Sequence, residues 1–281
     1  MIPTSFDYES PRTLSEAFEL LNTYPDAKLL AGGHSLLPAM KLRVATPSML
    51  IDLSRIAGLN QIRETADRIT IGALTTHATV AGSLLLHEHC PLLPLAAAQI
   101  GDAQVRNRGT IGGSLAQAHP AADYPAAVLA LDAEIVAQSR AGERLIPARE
   151  FFTGMLTTAL KSNEVITEIR VPKTGTGGVA YLKHHHPASG YAVVGVAVRL
   201  KMSGNRIDDA AVALTGVSDA AYRAKRVEAA LRGKGREAFA EASKHAADGV
   251  EALGDTYASA EFRKHLAGVM VRRALEKAGS A

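Results

Sequence analysis

The chain has 281 residues, 47% of them hydrophobic and 21% charged, with a formal net charge of +3 and one cysteine. That length and apolar content support a large folded core and exclude a disordered chain. Basic residues are interspersed with acidic ones, tryptophan is absent and aromatics make up 5% of the chain, which argues against a nucleic-acid-binding stripe or a base-stacking platform. Cys90, standing alone, can neither close an internal disulfide nor hold an iron–sulfur cluster. No apolar run approaches about 18 residues, and the N-terminus MIPTSFDYESP lacks a basic flank followed by an apolar stretch. The expectation is a cytoplasmic chain without a membrane span.

In TLSEAFELLNTY, Thr13 and Glu16 have capping-box spacing, and Leu14, Ala17, Phe18 and Leu21 share one helical face. KLLAG and MLIDL read as short buried strands with one or two helical turns between them after Pro38, which predicts a small α/β lobe over residues 1–53. NQIRE and RITIGA read as strands about a turn at Thr65 to Asp67, and THATVAGSLLL and PLLPLAAAQI as helices. The stretch from Gly101 to Pro125 is glycine-rich and without clean periodicity, so it reads as a long functional loop. PAAVLAL is helical, EIVAQS and RLIPA are strands about a Gly142 turn, and EVITEIRVP is a strand ending at Pro172. These complete a second α/β lobe over residues 54–175. In residues 176–281, GVAYLK, YAVVGVAVRLKM and DDAAVALTGV predict a three-stranded sheet, and the remainder predicts helices in three pieces.

Some short patterns fail on context. GTGGVA (175–180) has the spacing of a dinucleotide fingerprint, but β-like sequence and Pro187 follow it where a helix is required. HEHC (87–90) and HHH (184–186) have no second pair at zinc-like spacing, and neighbours on a strand point to opposite faces, so no metal site is assigned. The doubled glycines carry more. GGHSL at 32–36 is echoed by GGSL at 112–115, in successive lobes. Either alone reads as a tight turn. Together they predict two bare-backbone loops facing each other across a cleft and offering N–H groups to an anion, with a diphosphate the natural filler. Arg106 and Arg108 lie just upstream of the second, as charge for that loop or as solvent or subunit contacts.

AGGHSLLPAMKLR, GDAQVRNRGTIGGSLAQAHPAADYPA and IGALTTH (71–77) resemble the FAD-binding medium subunit of the molybdenum hydroxylases, the family of aerobic carbon monoxide dehydrogenase and xanthine dehydrogenase. The resemblance implies an α+β, vanillyl-alcohol-oxidase-like fold of two α/β lobes with FAD between them, and a C-terminal three-stranded sheet with a helix bundle covering the flavin end. It implies that Leu29, Leu30, Ala31, Gly32, Gly33, His34, Ser35 and Leu36 wrap the diphosphate, as do Thr110, Ile111, Gly112, Gly113 and Ser114. It sets Asp123 against FAD, where that residue also reads as the N-cap of a helix starting near Pro125. Ile166 lines the adenine or ribityl side, a position that a core residue would fill equally. Lys183 stands beside the isoalloxazine as an electrostatic tuner, and Tyr191 lies against one face of that ring, a position for which an ordinary strand tyrosine is the alternative reading.

The function so implied is electron transfer from two-iron, two-sulfur clusters of a small subunit, through non-covalently held FAD, to an external acceptor. Substrate would be oxidised at a molybdenum cofactor in a large subunit, within a dimer of heterotrimers. No acid, base or nucleophile is assigned to this chain. The alternatives are a stand-alone FAD-dependent oxidase or dehydrogenase with a His34 linkage, and a non-catalytic nucleotide-binding module.

Overall fold

A computed structural model describes residues 1–175 and 177–280. The N-terminal region runs β1 (Asp7–Glu9), α1 (Leu14–Thr23), β2 (Lys28–Leu30), α2 (Leu36–Lys41) and β3 (Met49–Asp52). Its three strands form a parallel sheet ordered β1-β3-β2. Thr13 caps α1 by accepting the Glu16 N–H, and Glu16 in turn accepts from the Arg12 N–H. This aims Ala17, Phe18 and Leu21 at the sheet, where they pack with Met49, Ile51 and Leu53.

The middle region begins with β4 (Ile62–Glu64) and β5 (Arg68–Gly72). A run of short helices follows: α3 (His77–Gly82), α4 (Leu84–His89), α5 (Leu92–Ala97), α6 (Ala103–Arg108), α7 (Ile111–Gln117) and α8 (Asp123–Ala130). It closes with β6 (Glu134–Ser139), β7 (Gly142–Pro147), α9 (Ala148–Phe151), β8 (Phe152–Gly154), β9 (Thr157–Thr158) and β10 (Val165–Pro172). The main sheet is antiparallel, ordered β4-β5-β10-β6-β7. Two expectations change here. THATVAGSLLL is two helices, because Ser83 leaves helical backbone and caps α4 through the Leu86 N–H. The supposed long loop contains α6 and α7, each started by a side chain: Asp102 accepts the Val105 N–H and Thr110 accepts the Gly113 N–H. Six- and seven-residue helices are too short to show the apolar period that would have revealed them.

The C-terminal region comprises β11 (Gly178–His185), β12 (Ala192–Ser203), β13 (Arg206–Thr215), β14 (Tyr222–Arg223), α10 (Lys225–Leu231), α11 (Phe239–Ser243) and α12 (Ala260–Gly279). The expected three strands become four in sequential antiparallel order, since the two-residue β14 pairs with Ala213 and Leu214. Thr176 of GTGGVA lies outside the described residues; Gly178 opens a strand, not a helix. The two faces of this sheet differ in side-chain size. Val194, Val196, Val198, Val212 and Leu214 join the core under α12, whereas Ala197, Ala211 and Ala213 join the core of the middle region, against α8. Alanines let the fully buried α8 approach closely, so the sheet is shared between two cores.

Arg263 of α12, 6% exposed, fastens the sheet ends by donating to the Val193 and Gly216 carbonyls at 2.7 and 2.6 Å. Among the described residues no helix is long and apolar enough to cross a membrane. Near the other end of α12, a Cβ on Gly178 would overlap the Ala278 carbonyl oxygen. Gly178→Ala is expected to destabilise the chain by about 2 kcal/mol, read from urea denaturation midpoints.

Candidate functional site

The two glycine motifs do meet, but they differ in kind. The first is an irregular turn between β2 and α2, where Gly33 has φ +75°, a conformation that favours glycine. Leu29 and Leu30 end β2, Ala31 follows, and Leu36 starts α2. Among the described residues, none accepts a hydrogen bond from the backbone N–H groups of Gly32, Gly33, His34 or Ser35. His34 turns back on the turn, its Nδ1 lying 2.9 Å from the Gly32 carbonyl oxygen. Four successive donors without a protein acceptor make an anion-binding concavity.

The second motif corrects the expectation of a matching bare loop. Its residues form the first turn of α7, and the early N–H groups are already committed. Ile111 donates to Thr75 O at 3.0 Å, Gly112 to Ala73 O at 2.8 Å, and Gly113 to the Thr110 hydroxyl at 3.1 Å. Ile111 and Gly112 are buried behind the surface of the cleft. Gly112 is bare because a Cβ there would lie 2.5 Å from that of Ala73. Gly113 and Ser114, half-buried, remain toward the cleft, and a Cβ on Gly113 would be 3.7 Å from that of Ala31. Gly32 likewise lies against the Arg108–Gly109 backbone. The first motif therefore packs on the main chain just before the second, and Gly113 faces Ala31. Arg106 is spent on the Ile100 and Gly101 carbonyls, 2.9 Å from each.

Residues 73–77 were named in the resemblance without a role, and the structure supplies one. Besides the two bonds just described, His77 N–H donates to Gly109 O at 2.9 Å, and Thr76 bridges Thr110. A Cβ on Gly109 would lie 2.5 Å from His77 Nε2. This segment is the bed on which the second motif rests.

Asp123 and Lys183 form a buried pair, and Tyr191 lies near both Asp123 and the Ser35 hydroxyl of the first motif. Asp123 is not an N-cap. It is the first residue of α8, preceded by Ala122 at the cap position. Its carboxylate, 4% exposed, receives the Lys183 ammonium at 2.9 and 3.0 Å and the Tyr181 hydroxyl at 2.6 Å. The Lys183 side chain is fully buried and also donates to Gln99 O at 2.7 Å. Burial pushes the Asp123 carboxyl upward, opposed by Lys183 and Tyr181. Lys183, which the resemblance made an electrostatic tuner of the ring, is thus one half of a closed ion pair.

Tyr191, 40% exposed, stacks one face on His119, with ring centroids 4.4 Å apart, so only its opposite face is open to a planar ligand. Burial and the Asp123 charge raise its phenol pKa against the nearby Ser35 hydroxyl. Beside it opens a cleft of about 470 Å³ bordered by His119, Met155, His186 and Arg263. Ile166 is 6% exposed and belongs to the middle core, next to a bulge in β10. Tyr181 escaped the sequence reading, although a signal existed: it stands two residues before Lys183 on one strand and so shares its face.

Residues 4–174 match the FAD binding domain in molybdopterin dehydrogenase, and residues 179–278 match the CO dehydrogenase flavoprotein C-terminal domain. The chain belongs to this family of FAD-binding flavoprotein subunits of molybdenum-containing dehydrogenases. It is 43% identical to the carbon monoxide dehydrogenase medium chain of Hydrogenophaga pseudoflava, over 99% of this chain and 98% of that one. It is 36% identical to the nicotine 6-hydroxylase medium subunit of Paenarthrobacter nicotinovorans, over 97% of each. Among solved structures, carbon monoxide dehydrogenase from Hydrogenophaga pseudoflava lacking the Mo-pyranopterin moiety of its molybdenum cofactor aligns with a TM-score of 0.97 at 44% identity. That alignment covers 100% of this chain and 99% of the other.

His77 gives the site a pH signature. Burial, helped by the charges of His34 and Arg106, lowers its pKa from 6.5 to about 4. The unfolded chain binds that proton first, so stability is complete above about pH 6.5 and falls as the pH drops toward 4. The expected loss is about 3 kcal/mol, measurable by urea denaturation at stepped pH, and His77→Gln should flatten most of that slope.

Proposed function

We propose that this chain is the flavin-carrying electron-transfer subunit of a molybdenum hydroxylase, taking electrons from iron–sulfur clusters of a small subunit and delivering them to an external acceptor. Bound flavin exchanges electrons singly or in pairs, which joins one-electron donors to two-electron acceptors. The observation carrying this reading is the run of four N–H donors from Gly32 to Ser35 opposite Gly113, a donor set suited to the diphosphate of FAD. Leu29 to Leu36 would hold that linker on one side. On the other, Gly113 and Ser114 would line it while Thr110, Ile111 and Gly112 hold α7 in place.

Toward the flavin end, Asp123 and Lys183 would fix the edge of the isoalloxazine and the open face of Tyr191 would limit its tilt. Ile166 would back the ribityl or adenine side. We read the flavin as non-covalent, with His34 folded back on its own turn through Nδ1. The division into lobes 1–53 and 54–175 and a covering domain 176–281 belongs to the same reading, with the flavin between the first two.

Partners follow from cysteine chemistry. Cys90 is fully buried and its thiol is pushed up to about 12, so no thiolate is available to a cluster. The clusters would then sit in a small subunit; that the molybdenum cofactor sits in a large one, in a cytoplasmic dimer of heterotrimers, is proposed from the likeness to medium chains of carbon monoxide dehydrogenase. The named relatives pair one fold with carbon monoxide and with nicotine. Substrate choice is therefore assigned to the large subunit.

Purified full-length chain should bind FAD stoichiometrically and release it on acid precipitation. A chain that cannot be reconstituted overturns the reading, and flavin retained after acid overturns its non-covalent form. Gly33→Val should lose flavin with near-wild-type circular dichroism; Gly113→Val, whose Cβ would lie 2.8 Å from the Thr110 hydroxyl that caps α7, should lose flavin together with some stability; and Gly112→Val, forced into the Ala73 backbone, should lose the fold.

A further inference from the structure

We propose that Tyr181 is a positioning residue for the flavin end of the site, holding the Asp123 carboxylate as the fixed counter-ion of Lys183. The chain then presents a closed ion pair, not a free cation, to the isoalloxazine. The proposal rests on the reading that places Lys183 beside that ring.

The geometry is specific. Tyr181 and Lys183 project from one face of β11 and converge on a single carboxylate in the first turn of α8. Tyr181 is 2% exposed and Asp123 4%, with the hydroxyl 2.6 Å from Oδ1. A carboxylate so far from water depends on its donors, and burial works against its charge. The groups facing it are Lys183, Tyr181 and His185 from β11, Tyr124 from α8, and Tyr191 just before β12. The Tyr124 hydroxyl, though buried, makes no hydrogen bond to Asp123 or to any other group among the described residues. Tyr181 is thus the hydroxyl that completes the pair.

Removing that hydroxyl should favour protonated Asp123, displacing its titration upward by roughly one to two pH units. Protonated Asp123 no longer compensates Lys183, and an uncompensated cation favours reduced, anionic flavin.

The test uses full-length wild type, Y181F and D123N, in two measurements. In flavin-free protein, infrared titration follows the carboxylic-acid C=O band that D123N lacks. Its appearance at higher pH in Y181F than in wild type is expected; the same onset in both overturns the proposal, and so does a Y181F chain that fails to fold, since the hydroxyl would then serve stability alone. In FAD-loaded protein, the flavin midpoint potential is followed against pH. Y181F should match wild type at high pH and rise above it as the pH falls through the displaced titration, while D123N lies above wild type throughout. If the infrared shift occurs but neither variant moves the potential, Lys183 is not beside the ring and the positioning role falls with that reading. If D123N moves the potential and Y181F does not, Lys183 keeps its place and Tyr181 loses its role.

Discussion

The site depends on a seam of main chain against main chain. Residues 73–77 and 109–112 exchange backbone hydrogen bonds along one line, and bare glycines at 109 and 112 let the two segments close to contact. The seam fixes α7, and Gly32, lying on the Arg108–Gly109 backbone, ties the first turn to the same scaffold. A side chain at any of these glycines would separate segments whose N–H and C=O groups, once buried, have no alternative partner. The donors of the first turn thus remain open beside a second motif whose own donors the fold has consumed.

Around Asp123, a different device holds a different kind of group. Ionic pairs taken fully out of water contribute little net stability, and breaking one by removing a single partner is costly because it strands a charge. The Asp123–Lys183 pair satisfies this constraint by adding two more hydrogen bonds, from Tyr181 to the carboxylate and from the ammonium to the Gln99 carbonyl. It also joins α8 of the middle region to β11 of the C-terminal sheet. The alanine-lined face of that sheet packs on the same helix, so apolar contact and ion pair act on one interface.

Much of the fold was legible locally. The capping residues of α1, the strand pair about Thr65 to Asp67 and the long strands of the C-terminal sheet follow from spacing, β-branching and turn chemistry. Two kinds of feature were not. Helices of six or seven residues, such as α6 and α7, show no period and read as loop; the split of α3 from α4 at Ser83 is of the same kind. The strand β14, with two residues, depends wholly on pairing with β13. In each case the local segment is too short to select its own conformation, and partners distant in the chain select it.

By itself, the sequence determined where glycine was required, that one cysteine could not bind a cluster, and which family the motifs resemble. These rest on residue chemistry, which needs no coordinates. Only tertiary structure decided which glycines open toward a ligand and which merely admit another strand of backbone, and that Lys183 arrives already paired. Those properties are set by what lies opposite a residue, and the opposing groups, Ala73 for Gly112 and Asp123 for Lys183, stand tens of residues away along the chain.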